Sequence, residues 1–509
     1  MKTLCEVLWN RAVVAALLLL AAPKANAQEL LWLWDGEATG DYFGETVACA
    51  GDVNADGVPD LIAGARSSDT NGNTAGMARM FSGRDGSILY TLYGEKEGDL
   101  FGQAVTGFAD LDGDGYSDFL ISAVSSMIPY DSAGKVSLYS GATGSLLMDW
   151  SGDQDDRLGY SLSELGDADG DGLLDIAFGA PAIGDNTPFV AVYSGMGGSL
   201  LQRIDPPGFS IVFGLYLSDI GDLDGDGLAD LLTSNGRTVY AYSVIRNELL
   251  FSFEFAANEY MTWDPLAGLG DVNFDGIPDF IVGTHFENSQ HDDVGKIWLY
   301  SGADATLIRS HEGPGELLPF WGGVGEIGDL NGDGSAEYLF GTYEDVFLIS
   351  GRTGLVLYEY DELNPLDGRD GIGFSFDLAG DINGDGLSDF ITGAPFRDGT
   401  GDGAGGVYVF STNDFFLYAK PRDPTAGDLV VLDCGEDAPG QPAALFLMAI
   451  NGAPTVVLIR VGVLDADGRL RISGNIPGLP RGTELTFQSF VLSSAGRVRD
   501  SGKESIVTR

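Results

Sequence analysis

Seven times along this 509-residue chain a nine-residue acidic pattern recurs, DxDxDGxxD or a close variant, opening at Asp52, Asp110, Asp167, Asp222, Asp271, Asp329 and Asp381. Successive copies start 58, 57, 55, 49, 58 and 52 residues apart. Such a period means that each unit is one supersecondary element stacked on copies of itself, and the spacing lies just above the solenoid range, near the longest propeller repeats.

The letters follow the needs of a hard divalent cation. Calcium takes roughly six to eight oxygen ligands, from carboxylates, amide carbonyls and backbone carbonyls. Positions one, three, five and nine supply side chains, position seven its backbone carbonyl, and Gly at position six lets the chain turn sharply. The expected donors are Asp52, Asn54, Asp56, Val58 and Asp60 in the first loop, and Asp110, Asp112, Asp114, Tyr116 and Asp118 in the second. They are Asp167, Asp169, Asp171, Leu173 and Asp175 in the third, and Asp222, Asp224, Asp226, Leu228 and Asp230 in the fourth. The fifth and sixth offer Asp271, Asn273, Asp275, Ile277 and Asp279, then Asp329, Asn331, Asp333, Ser335 and Glu337. The seventh offers Asp381, Asn383, Asp385, Leu387 and Asp389. Up to seven calcium ions are expected. A single DxDxDG is weak evidence, since Asp-Gly turns are common; seven in register are not.

An EF-hand closes its loop with Glu at position twelve, between helices. Here position twelve holds Ala63, Ile121, Phe178, Thr233, Val282, Phe340 and Thr392, inside apolar runs that read as buried strands. Each loop therefore joins two strands. Ahead of most loops stands a second signal, Phe43-Gly44, Phe101-Gly102, Leu158-Gly159 and Phe213-Gly214, looser at Phe320-Trp321 and Ile372-Gly373, with Thr262-Trp263 in the fifth repeat. After the loop comes a Gly-Ala-Pro-like end, clear at Gly179-Ala180-Pro181 and Gly393-Ala394-Pro395 and drifted in the second and fourth repeats. Two further β-rich runs complete each unit.

Four short strands per repeat is the blade pattern of a β-propeller. The seventh repeat stops after its third strand, Gly406 to Phe410, and Leu30-Leu-Trp-Leu-Trp34 lies ahead of Phe43-Gly44 as Leu89 to Tyr93 lies ahead of Phe101-Gly102. The N-terminal strand should supply the missing fourth strand, because closing the ring removes exposed strand edges. The expected fold is all-β: a seven-bladed β-propeller over 28–412, with a β-sandwich-like domain over 413–509. In that second piece Asp428–Asp433, Ala443–Ala449, Thr455–Ile459 and Glu484–Leu492 read as strands, and Asp465-Ala-Asp467-Gly468 as a hairpin turn.

Taken together, the Phe-Gly pair, the acidic loop and the Gly-Ala-Pro end resemble the FG-GAP repeat of integrin α-subunit head domains and their bacterial relatives, over residues 30 to 410. The resemblance implies a seven-bladed propeller with calcium sites, and a protein ligand on the face opposite those sites. Integrin-type propellers carry calcium in only some blades, so acidic loops in all seven are a departure.

Lys2 and Arg11, the apolar Ala12 to Ala22 and the small-x-small Ala25-Asn26-Ala27 read as a secretory signal over residues 1–27. A secreted or extracytoplasmic location is expected. The net charge of −49 argues against nucleic acid and anionic membrane surfaces as partners. Twenty-four acids occupy the four side-chain positions of the loops, and seven calcium ions would bring the charge to about −35. Cys49 and Cys434, left after removal of Cys5 with the signal, read as free thiols.

For function, the loops joining second to third strands, such as 65–76, 123–134, 180–189, 284–295 and 394–405, mix polar residues with Tyr130, Phe189, Phe286 and Phe396. Loops on a rigid scaffold are where recognition sits, which points to an extracellular protein or glycan ligand. The alternative is a hydrolase or lyase acting on a polysaccharide or phosphoester. His285, His291 and His311, expected in loops of that same face, fit no zinc-ligand spacing, and no residue is singled out as catalytic.

Overall fold

A computed structural model of the chain describes residues 29–412 except 127–131, 183–185, 209–211, 257–258, 287–294, 313–321, 331–333, 343–344 and 361–369. It also describes strands at 442–450, 453–463, 484–492, 498–499 and 504–507. All regular structure among these residues is strand.

Seven four-stranded antiparallel sheets follow one another along residues 29–411. The first blade shows the plan: Thr46–Gly51, Asp60–Ala65, Met77–Phe81 and Ile88–Tyr93, each paired to the next. First strands of successive blades touch one another around the ring, and Phe376–Gly380 of the seventh touches Thr46–Gly51 of the first. The ring is closed. As the sequence implies, Glu29–Asp35 is the outermost strand of the last blade, beside Gly406–Ser411. Its indoles reach across to blade one: Trp32 and Trp34 donate Nε1–H to the carbonyls of Gly83 and Gly86, both at 3.0 Å, and Trp34 stacks on Phe81 with centroids 4.0 Å apart.

Second strands are buried along their whole length, as in Asp60–Ala65, Asp118–Ala123 and Asp175–Ala180, because each is covered by both adjacent blades. This explains why they read as continuous apolar runs rather than alternating ones. The core is correspondingly a series of slabs between blades; one joins Leu61, Ala63 and Met77 of the first to Ile391, Val407 and Val409 of the seventh.

The Phe-Gly and Gly-Ala-Pro signals prove to be two halves of one seam. A Cβ on Gly64 would stand 2.2 Å from the carbonyl oxygen of Gly102 in the next blade; the same holds for Gly179 against Gly214 at 2.1 Å and Gly341 against Gly373 at 2.1 Å. Gly393 against Gly44, at 1.8 Å, closes the circle. In the drifted second repeat Ser122 takes the glycine's place; its hydroxyl bonds within its own blade, to the backbone of Ala104 at 3.0 and 3.3 Å, and its Cβ faces Gly159 of the next blade. The fifth repeat also keeps the contact that its sequence hides. Met261, buried, donates its N–H to Gly236 of the preceding blade at 3.0 Å, as Phe43 donates to Ala404 at 3.1 Å. Replacing Gly393 by Ala is expected to cost more than about 2 kcal/mol in urea unfolding, because backbone must move to admit the methyl. Gly270→Ala, whose Cβ meets nothing within 4 Å, should change little.

The C-terminal unit is compact in its own right. Pro442–Ile450, Ala453–Val463, Glu484–Leu492, Val498–Arg499 and Glu504–Val507 form one antiparallel sheet. The facing sheet that a sandwich needs is not among the described residues, and Asp428–Asp433, Cys434 and the Asp465–Gly468 turn lie outside them. Cys49 is free, as expected.

Candidate metal centres

Four of the acidic loops leave their first strand through a sharp re-aiming of the chain. Just before the loops, pairing slips by one residue at Cys49/Gly51, Asp219/Gly221, Glu326/Gly328 and Leu378/Gly380. The four glycines have φ between 70° and 77°, the left-handed bulge that Gly adopts without penalty. Position four of the loops is left-handed too, filled by Gly113, Gly170, Gly225 and Gly384, and by Ala55 and Phe274 at φ 54° and 64°.

Inside the loop the first aspartate folds the turn around itself. Asp52 accepts the N–H of Asp56 at 2.9 Å and of Gly57 at 2.8 Å. The position-six bond recurs at 2.7 to 2.9 Å on Asp110, Asp167, Asp222, Asp271, Asp329 and Asp381. Position five accepts from position seven, as Asp114 does from Tyr116 at 3.1 Å. The carboxylate at position nine is fully buried and binds in two directions. Asp118 accepts from Leu111 within the loop at 2.9 Å and from Gly141, in the turn between strands three and four, at 3.1 Å. Asp60, Asp175 and Asp279 repeat this with Gly83, Gly195 and Gly302. The ninth acid is thus also a knot between loop and hairpin, a role its spacing does not reveal.

Three loops bring carboxylate oxygens from positions one, three and nine within 4.8 Å of one another: Asp110, Asp112 and Asp118; Asp167, Asp169 and Asp175; Asp222, Asp224 and Asp230. Where position three is asparagine, its Nδ2 donates to the ninth carboxylate, at 3.0 Å for Asn54 and Asn273 and 3.4 Å for Asn383. Asn54 Oδ1 is buried with no hydrogen-bond partner, an orphan oxygen beside acids that a cation would satisfy. Hard oxygen donors at this density suit a divalent metal. In the sixth loop Asp329 and Glu337 are in place, Glu337 accepting from Leu330 at 2.8 Å; Asn331 and Asp333 lie outside the described residues.

Burial raises the ninth aspartates, aided by their acidic neighbours and opposed by the backbone N–H groups. Asp60 and Asp230 are pushed up to about 7, Asp279 and Asp389 to about 6. A bound cation would reverse that bias.

The first strands also enclose an axial cavity of about 830 Å³, into which Glu164, Asp219, Glu326 and Asp377 face. Burial, then the charges of Asp377 and Asp219, push Glu164 up to about 7. Burial, then Asp219, does the same to Glu326. Asp377 rises to about 6 by burial despite accepting the Cys49 N–H at 2.9 Å. A carboxyl whose folded pKa is raised adds nothing below its unfolded value and penalises the fold as pH climbs to the folded one. With calcium saturating, stability should therefore fall between about pH 5 and 7.5, by on the order of 2–3 kcal/mol for each glutamate. Glu164→Gln with Glu326→Gln should flatten a melting-temperature profile over that range.

At the opposite end of the blades, an aspartate two residues before the Phe-Gly position ties the loop down in the first three repeats. Asp41 accepts from Ala38, Asp99 from Lys96 and Asp156 from Asp153, at 2.8 to 3.2 Å. Asp370 instead grips Arg397 at 3.0 Å, and Arg397 also pairs with Asp35 of the closing strand at 2.7 Å. Tyr42, 38% exposed, meets Phe396 edge-on with centroids 6.0 Å apart. Several expectations for this face need correction. Phe189 is 6% exposed, in the strand Phe189–Tyr193 beneath the Arg203 guanidinium at 3.6 Å, so it belongs to the core. His285 and His311 lie in strands Asp279–Phe286 and Leu307–Glu312, not loops, and burial lowers His311 to about 4, leaving it neutral. His291 and Tyr130 lie outside the described residues.

A closed seven-bladed propeller with an acidic turn at the same corner of every blade defines the class. Residues 43–78, 266–300 and 373–410 match the FG-GAP repeat. The chain is 34% identical over 206 residues to integrin alpha-4 of Xenopus laevis, covering 38% of this chain and 19% of that protein. It is 33% identical over 170 residues to integrin alpha-E of Homo sapiens, 29% and 14%. To integrin alpha-V of Gallus gallus it is 31% identical over 212 residues, 38% and 20%. The chain carries FG-GAP repeats and its propeller is integrin α-like; the match spans a fifth or less of the length of these relatives.

Proposed function

We propose that the chain is an exported, calcium-loaded recognition module that binds an extracellular protein or a glycan at the end of the propeller away from the acidic turns. The observation that carries this is how those turns are built. Their carboxylates fold the loop around itself and knot it to the neighbouring hairpin, the design of a structural cation site rather than of a catalytic one with an open position. The other end presents loops held by Asp41, Asp156 and the Arg397 cluster, with exposed Tyr42 set against half-buried Phe396 among them. The family resemblance implies a protein ligand there; aromatic faces would serve a sugar equally. No helix among the described residues is long and apolar enough to cross a membrane.

The test is a pull-down and glycan array with the full chain, run beside a broad hydrolase panel. Retention of one protein or glycan, lost in Tyr42→Ala at unchanged melting temperature, is the expected result. Calcium-dependent turnover of a polysaccharide or phosphoester would replace recognition with catalysis.

A further inference from the structure

The seven acidic loops are not electrostatically equal. In the fourth, Arg246, from the turn joining Thr238–Ser243 to Glu248–Glu254, lays its guanidinium across two of the expected donors: one amino group is 2.6 Å from Asp224 Oδ2 and the other 3.1 Å from Asp226 Oδ2. In the first, Arg84, from the matching turn after Met77–Phe81, places Nε 3.2 Å from Asp56 Oδ2 and bonds the Asp56 carbonyl. The corresponding turns of the second and third blades carry Ala142-Thr143 and Met196-Gly197 instead. Among the described residues no cationic side chain pairs with the acids of those two loops. Counting the four side-chain positions, the second and third loops hold charge −4, the fourth −3 once Arg246 is included, and the first −2 with Arg84.

A guanidinium and a calcium ion compete for the same oxygens, because an oxygen turned to an arginine must be released, wholly or in part, before it can coordinate. The arginine also neutralises its loop when no metal is present. We propose that Arg84 and Arg246 are built-in counter-cations, which keep the first and fourth loops shaped when calcium is scarce and make those sites fill after the second and third. This rests on the calcium reading above and adds an order of filling to it. Arg246 is half exposed, with 47% of its side chain accessible, so the pair is screened and its effect is moderate: about a five- to tenfold weakening of the site.

The experiment is a calcium titration of the full chain by calorimetry, with melting curves in chelator and in millimolar calcium. In Arg246→Gln one site should tighten by about fivefold or more at unchanged total stoichiometry, and Arg84→Gln should do the same at another. Arg246→Gln should melt below the parent in chelator and at or above it in calcium. That reversal of sign would not arise from a merely structural arginine. Arg246→Lys, which keeps the charge but not the two-pronged contact, should lie between. Isotherms for both glutamine variants that superimpose on the parent's would overturn the proposal while leaving calcium binding intact. A parent chain that takes up no calcium would overturn the calcium reading itself.

Discussion

Chelating calcium is expected to lower the stability of the propeller by about 8 kcal/mol, from about 1.4 kcal/mol at each of five sites with a dissociation constant near 0.1 mM and about 0.5 at each of the two that carry Arg84 and Arg246, at millimolar calcium. The sign follows from the loops themselves. Their ninth carboxylates are buried and pushed up to about 6 or 7 in Asp60, Asp230, Asp279 and Asp389, so without a cation the fold must either bind protons or bury unpaired charge. Thermal melts with and without chelator check it, and a melting temperature indifferent to chelator would rule it out. Asp226→Ala should remove about one calcium from the titrated stoichiometry.

Deleting residues 28–36 should be nearly as damaging, since it unmakes the joint between the last blade and the first. Trp32 and Trp34, which pack against Leu61, Phe81 and Val409, would be lost with it. Truncating a fully buried Trp to Ala costs about 3–5 kcal/mol; these two are half-buried and cost less each, but both go at once, with the Asp35–Arg397 pair and the ladder beside Gly406–Ser411. The seventh blade should become protease-sensitive before the others. Thermal stability and protease resistance equal to the parent's would contradict the closure.

Periodicity made the seven turns, the four strands and the split blade legible, because each is fixed by local chemistry that must repeat. Contacts between segments distant in sequence were not legible, whether within a blade or between blades. Arg246 meets Asp224 from 22 residues away, and Gly393 meets Gly44 across nearly the whole propeller; only the fold brings such residues together. The axial acids left a faint trace, since Glu164, Asp219 and Glu326 each stand three residues before a loop's first aspartate. A strand position facing a ring axis looks in sequence like any solvent-facing one. Phe189 was misjudged for a related reason: it is the first residue of its strand, and a shift of one position turns a loop aromatic into core. Met261 in the fifth repeat, like Leu158 and Ile372, shows that the Phe-Gly position takes a buried apolar side chain and not Phe alone.

The closing strand also sets a timetable. Glu29–Asp35 is the first part of the propeller to be synthesised and the last to find its partner, since Gly406–Ser411 follows every other strand of the ring. Six blades can pair their own neighbours locally, at small loop-closure cost, but the seventh must bring together segments from both ends of the array. Until it does, the Gly406–Ser411 edge stands open, bearing buried-type side chains such as Val407, Val409 and Phe410. The closing pairing is therefore expected to be the slow step of folding, with the seventh blade the last to gain amide-exchange protection during refolding and its one open edge the place where aggregation starts.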